Sequence, residues 1–139
     1  MSQVVSTSLS KETAERLKRL ARRLGKTPSE TSAILIEESL RENEFAYIEF
    51  RNSTLGRQAY LKNSSLAVWE VIAIAQDYNM DQMQVAAHFH KPIQWVKAAF
   101  NYADAYFEEI QTAISDAQVI DATTLKRLLP QLEIINVPE

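Results

Sequence analysis

Gln3-Val4-Val5-Ser6-Thr7-Ser8-Leu9-Ser10 and, further on, Gly25-Lys26-Thr27-Pro28-Ser29-Glu30 decide how this chain folds. In the first stretch Val5, Thr7 and Leu9 alternate with Val4, Ser6 and Ser8. A period of two makes this a strand with one apolar face and one small, mostly polar face. Ser10 then caps a helix whose Ala14, Leu17, Leu20, Ala21 and Leu24 recur at helical spacing. Gly25 stops that helix, and Thr27-Pro28-Ser29-Glu30 opens the next with a cap, a proline at the first helical position and the Glu of a capping box. A lone strand leaves its backbone unpaired, and a unit this small cannot bury a sufficient core. The segment therefore calls for a second copy, with Val5, Thr7 and Leu9 as the dimer core.

Strand, helix, Gly-marked turn and helix over residues 3–43 resemble the ribbon-helix-helix family of DNA-binding proteins, the Arc and MetJ type. In that family two strands from two chains pair into a ribbon that enters the major groove. The resemblance implies that Val4, Ser6 and Ser8 meet base edges. It also implies that Lys26, Thr27 and Ser29 hold a phosphate, since a helix start offers free N–H groups and a positive dipole end. The outward strand face departs from a strong reader. Apart from Gln3 at its edge it has no Arg, Lys, Asn or Gln, so its centre makes no bidentate base contact.

Bulk properties narrow the remaining classes. At 139 residues the chain is one domain or two small ones, without a run apolar enough to cross a bilayer. The N-terminus lacks the basic and apolar blocks of a signal peptide, so a cytoplasmic protein is expected. With no Cys, disulfide, thiolate-metal and cysteine-nucleophile chemistry are excluded. The net charge of −3 hides an asymmetry. Residues 1–43 carry eight Lys or Arg against six Glu, while the rest carries seven bases against twelve acids. Such a division suggests separate partners, one of them anionic. Arg16, Arg19 and Arg23 share one side of the first helix.

Beyond Glu44 the pattern changes. Tyr47 to Arg51 alternates like a short strand, Asn52 to Gly56 loops, and Gln58 to Lys62 is strand-like again. A helix is expected from Leu66 to about Tyr78, and Asp81 caps a short helix through Phe89. After His90-Lys91-Pro92 the spacing of Ile93, Val96, Ala99, Phe100, Ala103, Phe107, Ile110 and Ile114 predicts one long helix. Leu125, Leu128 and Leu129 predict a short helix stopped by Pro130, followed by the apolar Leu132 to Val137.

Gly56-Arg57-Gln58-Ala59-Tyr60-Leu61-Lys62-Asn63-Ser64-Ser65, Val68-Trp69-Glu70-Val71, the Met80-to-Ala87 helix and Val96-Lys97-Ala98-Ala99-Phe100 carry a second likeness. With them residues 47–114 resemble domain-of-unknown-function family 433, small antitoxin-like bacterial proteins. Gln58, Asn63 and Ser64-Ser65 stand where that family tends to have Pro, Gly and Thr-Arg. The resemblance implies a helix-turn-helix preceded by a small hairpin, and a PIN-like nuclease toxin as partner.

Within that half, Lys91, Gln94, Lys97 and Asn101 fall at the start of the second helix of such a motif, as a second DNA surface or a partner surface. The acidic balance, with Asp104, Glu108 and Glu109 on the same helix, favours a structural or protein-binding role over DNA contact. His88 and His90 point in different directions on a helix and lack further ligands, so no metal is expected. Asp77, Asp81 and Asp104 read as caps and solvated faces. Trp69, Trp95, Phe100, Tyr102, Tyr106 and Phe107 are an aromatic concentration that reads first as core on the apolar stripe, with an interface between protomers as the alternative for Tyr102 and Tyr106 beside it. Neither a catalytic constellation nor a cofactor motif is visible, so an enzyme is not expected.

The expected fold is mainly α with short β elements: an intertwined ribbon-helix-helix dimer plus a small helix-turn-helix-like helical domain. Residues 1–44 form the dimerisation and DNA-binding part, 45–115 the antitoxin-type domain and 116–139 a C-terminal interaction tail. The expected function is a dimeric or higher-order regulator of the antitoxin type that binds double-stranded DNA. The alternative is a protein-interaction module that uses its ribbon only to dimerise.

Overall fold

A computed structural model describes residues 2–128. The protein is mainly α, 66% helical, with one two-stranded antiparallel sheet. Its packing separates into two units, Met1–Arg41 and Glu42–Glu139.

In the first unit, residues 2–10 lie in no helix or strand and are exposed. The strand expected over Gln3 to Leu9 is thus absent from the single chain, as its hydrogen bonds need a partner strand. Helix α1 (Lys11–Leu24) starts where the Ser10 hydroxyl accepts from the Thr13 N–H at 3.1 Å. It ends at Gly25, whose φ of 67° lies in the left-handed region. There the Lys26 N–H reaches the Ala21 carbonyl and the Gly25 N–H reaches that of Arg22, which closes the helix in a Schellman motif. Helix α2 (Pro28–Glu44) opens on the capping box expected of Thr27 and Glu30. The Glu30 N–H donates to Thr27 Oγ1 at 3.1 Å, and the Thr27 N–H donates to Glu30 Oε1 at 3.3 Å. Among the described residues of this unit, Ala21 is the only apolar one that is buried.

The second unit begins with the hairpin β1 (Ile48–Ser53) and β2 (Gly56–Leu61), in the register Ile48 to Leu61 and Ser53 to Gly56. Ser53 shapes its turn, donating to the Gly56 carbonyl and accepting from the Leu55 N–H. Arg51 reaches the Ser64 carbonyl at 2.7 Å and lies over the Tyr60 ring, which pins the loop after β2. Helix α3 (Val68–Asp77) follows, and Glu70 accepts from the Ala67 N–H at its start. Asp81 caps α4 (Gln82–Phe89) by accepting from the Met83 and Gln84 N–H groups. His90, left-handed at φ 54°, turns the chain into α5 (Ile93–Ala105).

One long helix after Pro92 is corrected by the structure. It breaks at Tyr106, whose φ of −125° leaves the helical region, and α6 (Phe107–Leu128) follows. The apolar spacing runs through the break without Gly or Pro, so periodicity alone does not reveal it. Phe107, expected on the buried stripe, is 62% exposed, while Ile110 and Ile114 return to the core. The short helix expected around Leu125 is the continuation of α6, so residues 116–128 belong to a helix rooted in the core. Leu129, Pro130 and Leu132 to Val137 lie outside the described residues.

The core of this unit gathers Ile48 and Leu61 from the hairpin, Val68 and Val71 from α3, Val85 from α4, Val96 and Tyr102 from α5, and Ile110 from α6. Tyr102 is fully buried. Phe45 and Phe50 meet it edge-on at 5.4 and 6.3 Å, and its hydroxyl donates to Glu109 at 2.7 Å. That overturns the alternative of a protomer interface: a ring so enclosed has no face left for a partner. Tyr106 is half-buried against Phe45 and Tyr102 and belongs to the same cluster.

Candidate functional site

The first unit holds an open groove of about 990 Å³. Its apolar lining comes from Leu17 and Leu20 of α1, Leu35 and Ile36 of α2, and Leu9 of the leading segment. Leu9, Leu35 and Ile36 are 47%, 38% and 57% exposed. At roughly 25 cal/mol per Å² of apolar surface, such a groove is unfavourable when left to water.

The leading segment meets this groove through one face. Thr7 and Leu9 line it; Val4, Ser6 and Ser8 do not. Val5 shares their parity yet is 87% exposed and outside the groove. The even-numbered face is small and uncharged, as the sequence implied.

Arg16, Arg19, Arg22 and Arg23 border the groove. None of the four has an ion-pair partner among the described residues. The sequence had placed three of them on one side of α1. Arg22 joins because the groove takes its lining from more than one side of α1.

The start of α2 is chemically more occupied than its sequence suggests. Lys26, Thr27 and Ser29 are all exposed around it. The capping box, however, engages the Thr27 and Glu30 N–H groups, Pro28 has none, and the Thr31 N–H bonds the Thr27 carbonyl. Ser29 alone offers an amide not engaged by the box. The Glu30 carboxyl is held below its ordinary range by the Thr27 N–H it accepts, then by the Thr27 side chain and by Lys26. A carboxylate therefore already occupies the anion position of this helix start.

In the second unit α3, α4 and α5 pack together with α6, and His90-Lys91-Pro92 is the tight turn between α4 and α5. The structure divides the four residues singled out there. Lys91 is half-buried, its Nζ 5.7 Å from the centre of the Trp95 ring. Gln94 and Lys97 are exposed on α5. Asn101 borders a second cavity of about 510 Å³, together with Glu44, Phe45, Ala46, Ala98 and Asp104. That cavity is acidic, and the sequence reading missed it because Glu44 and Asp104 lie sixty residues apart.

His88 accepts or donates at 2.9 Å with the Tyr78 hydroxyl, and His90 is spent on the helix end. No group of three or more His, Cys, Asp or Glu among the described residues could hold a metal ion. Nor is any helix among them long and apolar enough to cross a membrane. Compared with known protein families, curated proteins and solved structures, the chain matches none.

Proposed function

We propose that this chain is a cytoplasmic, dimeric DNA-binding regulator of the antitoxin type, without a catalytic step of its own. The observation that carries the reading is the first unit's open groove, apolar inside and rimmed by arginines. A second copy of the unit is the occupant that supplies both what the groove lacks and a pairing strand for residues 3–9. Val5, Thr7 and Leu9 would then enter the shared core, leaving Val4, Ser6 and Ser8 outward on a two-stranded ribbon.

Dimerisation concentrates charge. Four guanidinium groups per protomer would gather eight around one seam, a concentration relieved by a polyanion such as DNA. Each phosphate met by such a group contributes a slope of about −0.9 to log K against log salt, so a full set would give about −7. The acidic second unit suits a different role, with its Glu44 and Asp104 cavity fitting a basic segment of a protein partner such as a PIN-like nuclease toxin.

Fluorescence anisotropy against the chain's own promoter and against random DNA tests this. Salt-sensitive binding with preference for the promoter is expected. Equal binding to both, or none at low salt, refutes the regulator.

One observation favours a second reading, a ribbon that only dimerises. Glu30 already fills the anion position at the start of α2, and the even strand face is Val and Ser. Ser6→Glu with Ser8→Glu separates the two. A dimer that forms normally but loses DNA supports the regulator; unchanged DNA affinity supports the interaction module.

A further inference from the structure

Beyond Ala117, every residue of α6 is exposed except the half-buried Ala122. About eleven residues, roughly 16 Å at 1.5 Å each, thus run past the core of the second unit. This overhang is not a polar helix end. Ile120, Leu125 and Leu128 are 41%, 49% and 72% exposed. At the helical repeat Ala117, Asp121, Thr124 and Leu128 continue the stripe that Ile110 and Ile114 begin, with Ile120 and Leu125 on its two shoulders.

Read backwards, the stripe complements itself. When two such helices run in opposite directions, Ala117 meets Leu128 of the other copy and Asp121 meets Thr124. A small side chain faces a large one and a carboxylate faces a hydroxyl, each twice. Charge follows the same symmetry. Asp116 and Arg127 lie on the same shoulder at opposite ends, so an antiparallel pair brings each Asp116 to the other copy's Arg127. A parallel pair would instead set Asp121 against Asp121 and hold each Asp116 away from the other copy's Arg127.

We infer that the free half of α6 docks antiparallel on the same half of a second copy of this chain, joining two dimers into a tetramer. A contact this short lies well under the roughly 1,200 Å² of a stable interface, so it acts only where another contact raises the local concentration. In that respect it rests on the ribbon-type dimer proposed above. Joined dimers would let weakly discriminating Ser-faced ribbons read adjacent sites together.

The 139 residues contain no cysteine, so single introduced thiols report cleanly. In the antiparallel register Thr124→Cys lies near its own copy across the pair and oxidises to a covalent dimer. Leu128→Cys lies about 16 Å from its mate along the axis, beyond the roughly 7 Å a disulfide tolerates, and stays uncrosslinked. In sedimentation velocity the unmodified chain runs as a tetramer. Asp116→Arg weakens tetramer formation about fivefold or more, and adding Arg127→Asp restores it.

Crosslinking of both thiol variants means a parallel pair and overturns the proposal, as does crosslinking of neither. A largest species that is a dimer, with Thr124→Cys crosslinked inside it, overturns the tetramer. If Thr124→Cys crosslinks only after residues 129–139 are removed, that segment is the occupant and the proposal falls. Failure of the ribbon dimer is read separately: an unmodified chain that sediments as a monomer refutes the dimer and the proposal with it, whereas an intact dimer without the Thr124→Cys crosslink refutes the α6 contact alone.

Discussion

Ile36→Ala should dissociate the ribbon-type dimer without unfolding the protomer. Ile36 is 57% exposed while lining the groove between α1 and α2, so over half of its side chain awaits cover. Complete burial of such a side chain is worth about 1.5–3 kcal/mol. The exposed share then amounts to about 1–1.5 kcal/mol per copy, and a symmetric dimer loses it twice. Allowing for incomplete burial leaves about 2 kcal/mol, or roughly a thirtyfold rise in the dimer dissociation constant. Sedimentation velocity over a concentration series measures that shift, and far-ultraviolet circular dichroism checks that the helices persist. Met83→Ala is the control: Met83 is 71% exposed but sits on α4 of the other unit, and its loss should leave the constant unchanged. An unchanged constant for Ile36→Ala, or equal weakening by both, refutes the groove as the dimer seam.

Gly25→Ala should lower stability by about 1 kcal/mol in urea titration, and Gly25→Asn by less. A Cβ at Gly25 would meet nothing within 4 Å, so backbone conformation alone sets the loss; an effect several times larger would disprove that. Thr31→Val should raise the thermal midpoint, because Thr31 Oγ1 is buried without a hydrogen-bond partner and its desolvation costs about 1 kcal/mol or more. A lower midpoint would mean that the hydroxyl has a partner in the assembled protein. Glu30 contributes stability at neutral pH, since its folded pKa lies below the ordinary 4.5. That contribution begins to fade as pH falls through 4.5 and is gone below the lowered value, a loss that Glu30→Gln should abolish in acid titrations. If the start of α2 meets phosphate, the same substitution should also tighten DNA binding in anisotropy; weaker or equal binding would place that helix end away from DNA.

Local chemistry was readable in the sequence wherever neighbours decide it. Ser10, Gly25, the Thr27 and Glu30 pair and Asp81 act within three or four residues, and each performs the structural task its type and position suggested. What sequence spacing hides is the third dimension. Tyr102 kept an interface as its alternative because nothing nearby in sequence shows that Phe45 and Phe50 close over it. The break at Tyr106 escaped notice because apolar positions on both sides keep helical spacing. The groove was half legible, since Leu17 and Leu20 mark one apolar face of α1, but only the structure shows Leu35 and Ile36 of α2 lining the same open hollow. At α2's start the box residues were plain, yet their consequence was missed: a carboxylate that caps a helix also competes with any phosphate for the same amides.

Glu42 brings a practical consequence for dissecting the protein. Its carboxylate accepts the Phe50 N–H of β1 at 3.1 Å. An outer strand with open amides is a template for another chain, and here one of those amides is already closed by a side chain from α2's last turns. A fragment of the second unit that began at Phe45, just after α2, would keep the hairpin but unstopper its edge, inviting strand-to-strand association unrelated to the intact protein. Pull-down or binding work on the isolated acidic half therefore has to retain the helical residues from Glu42 onward, or it will measure the stickiness of a bared edge.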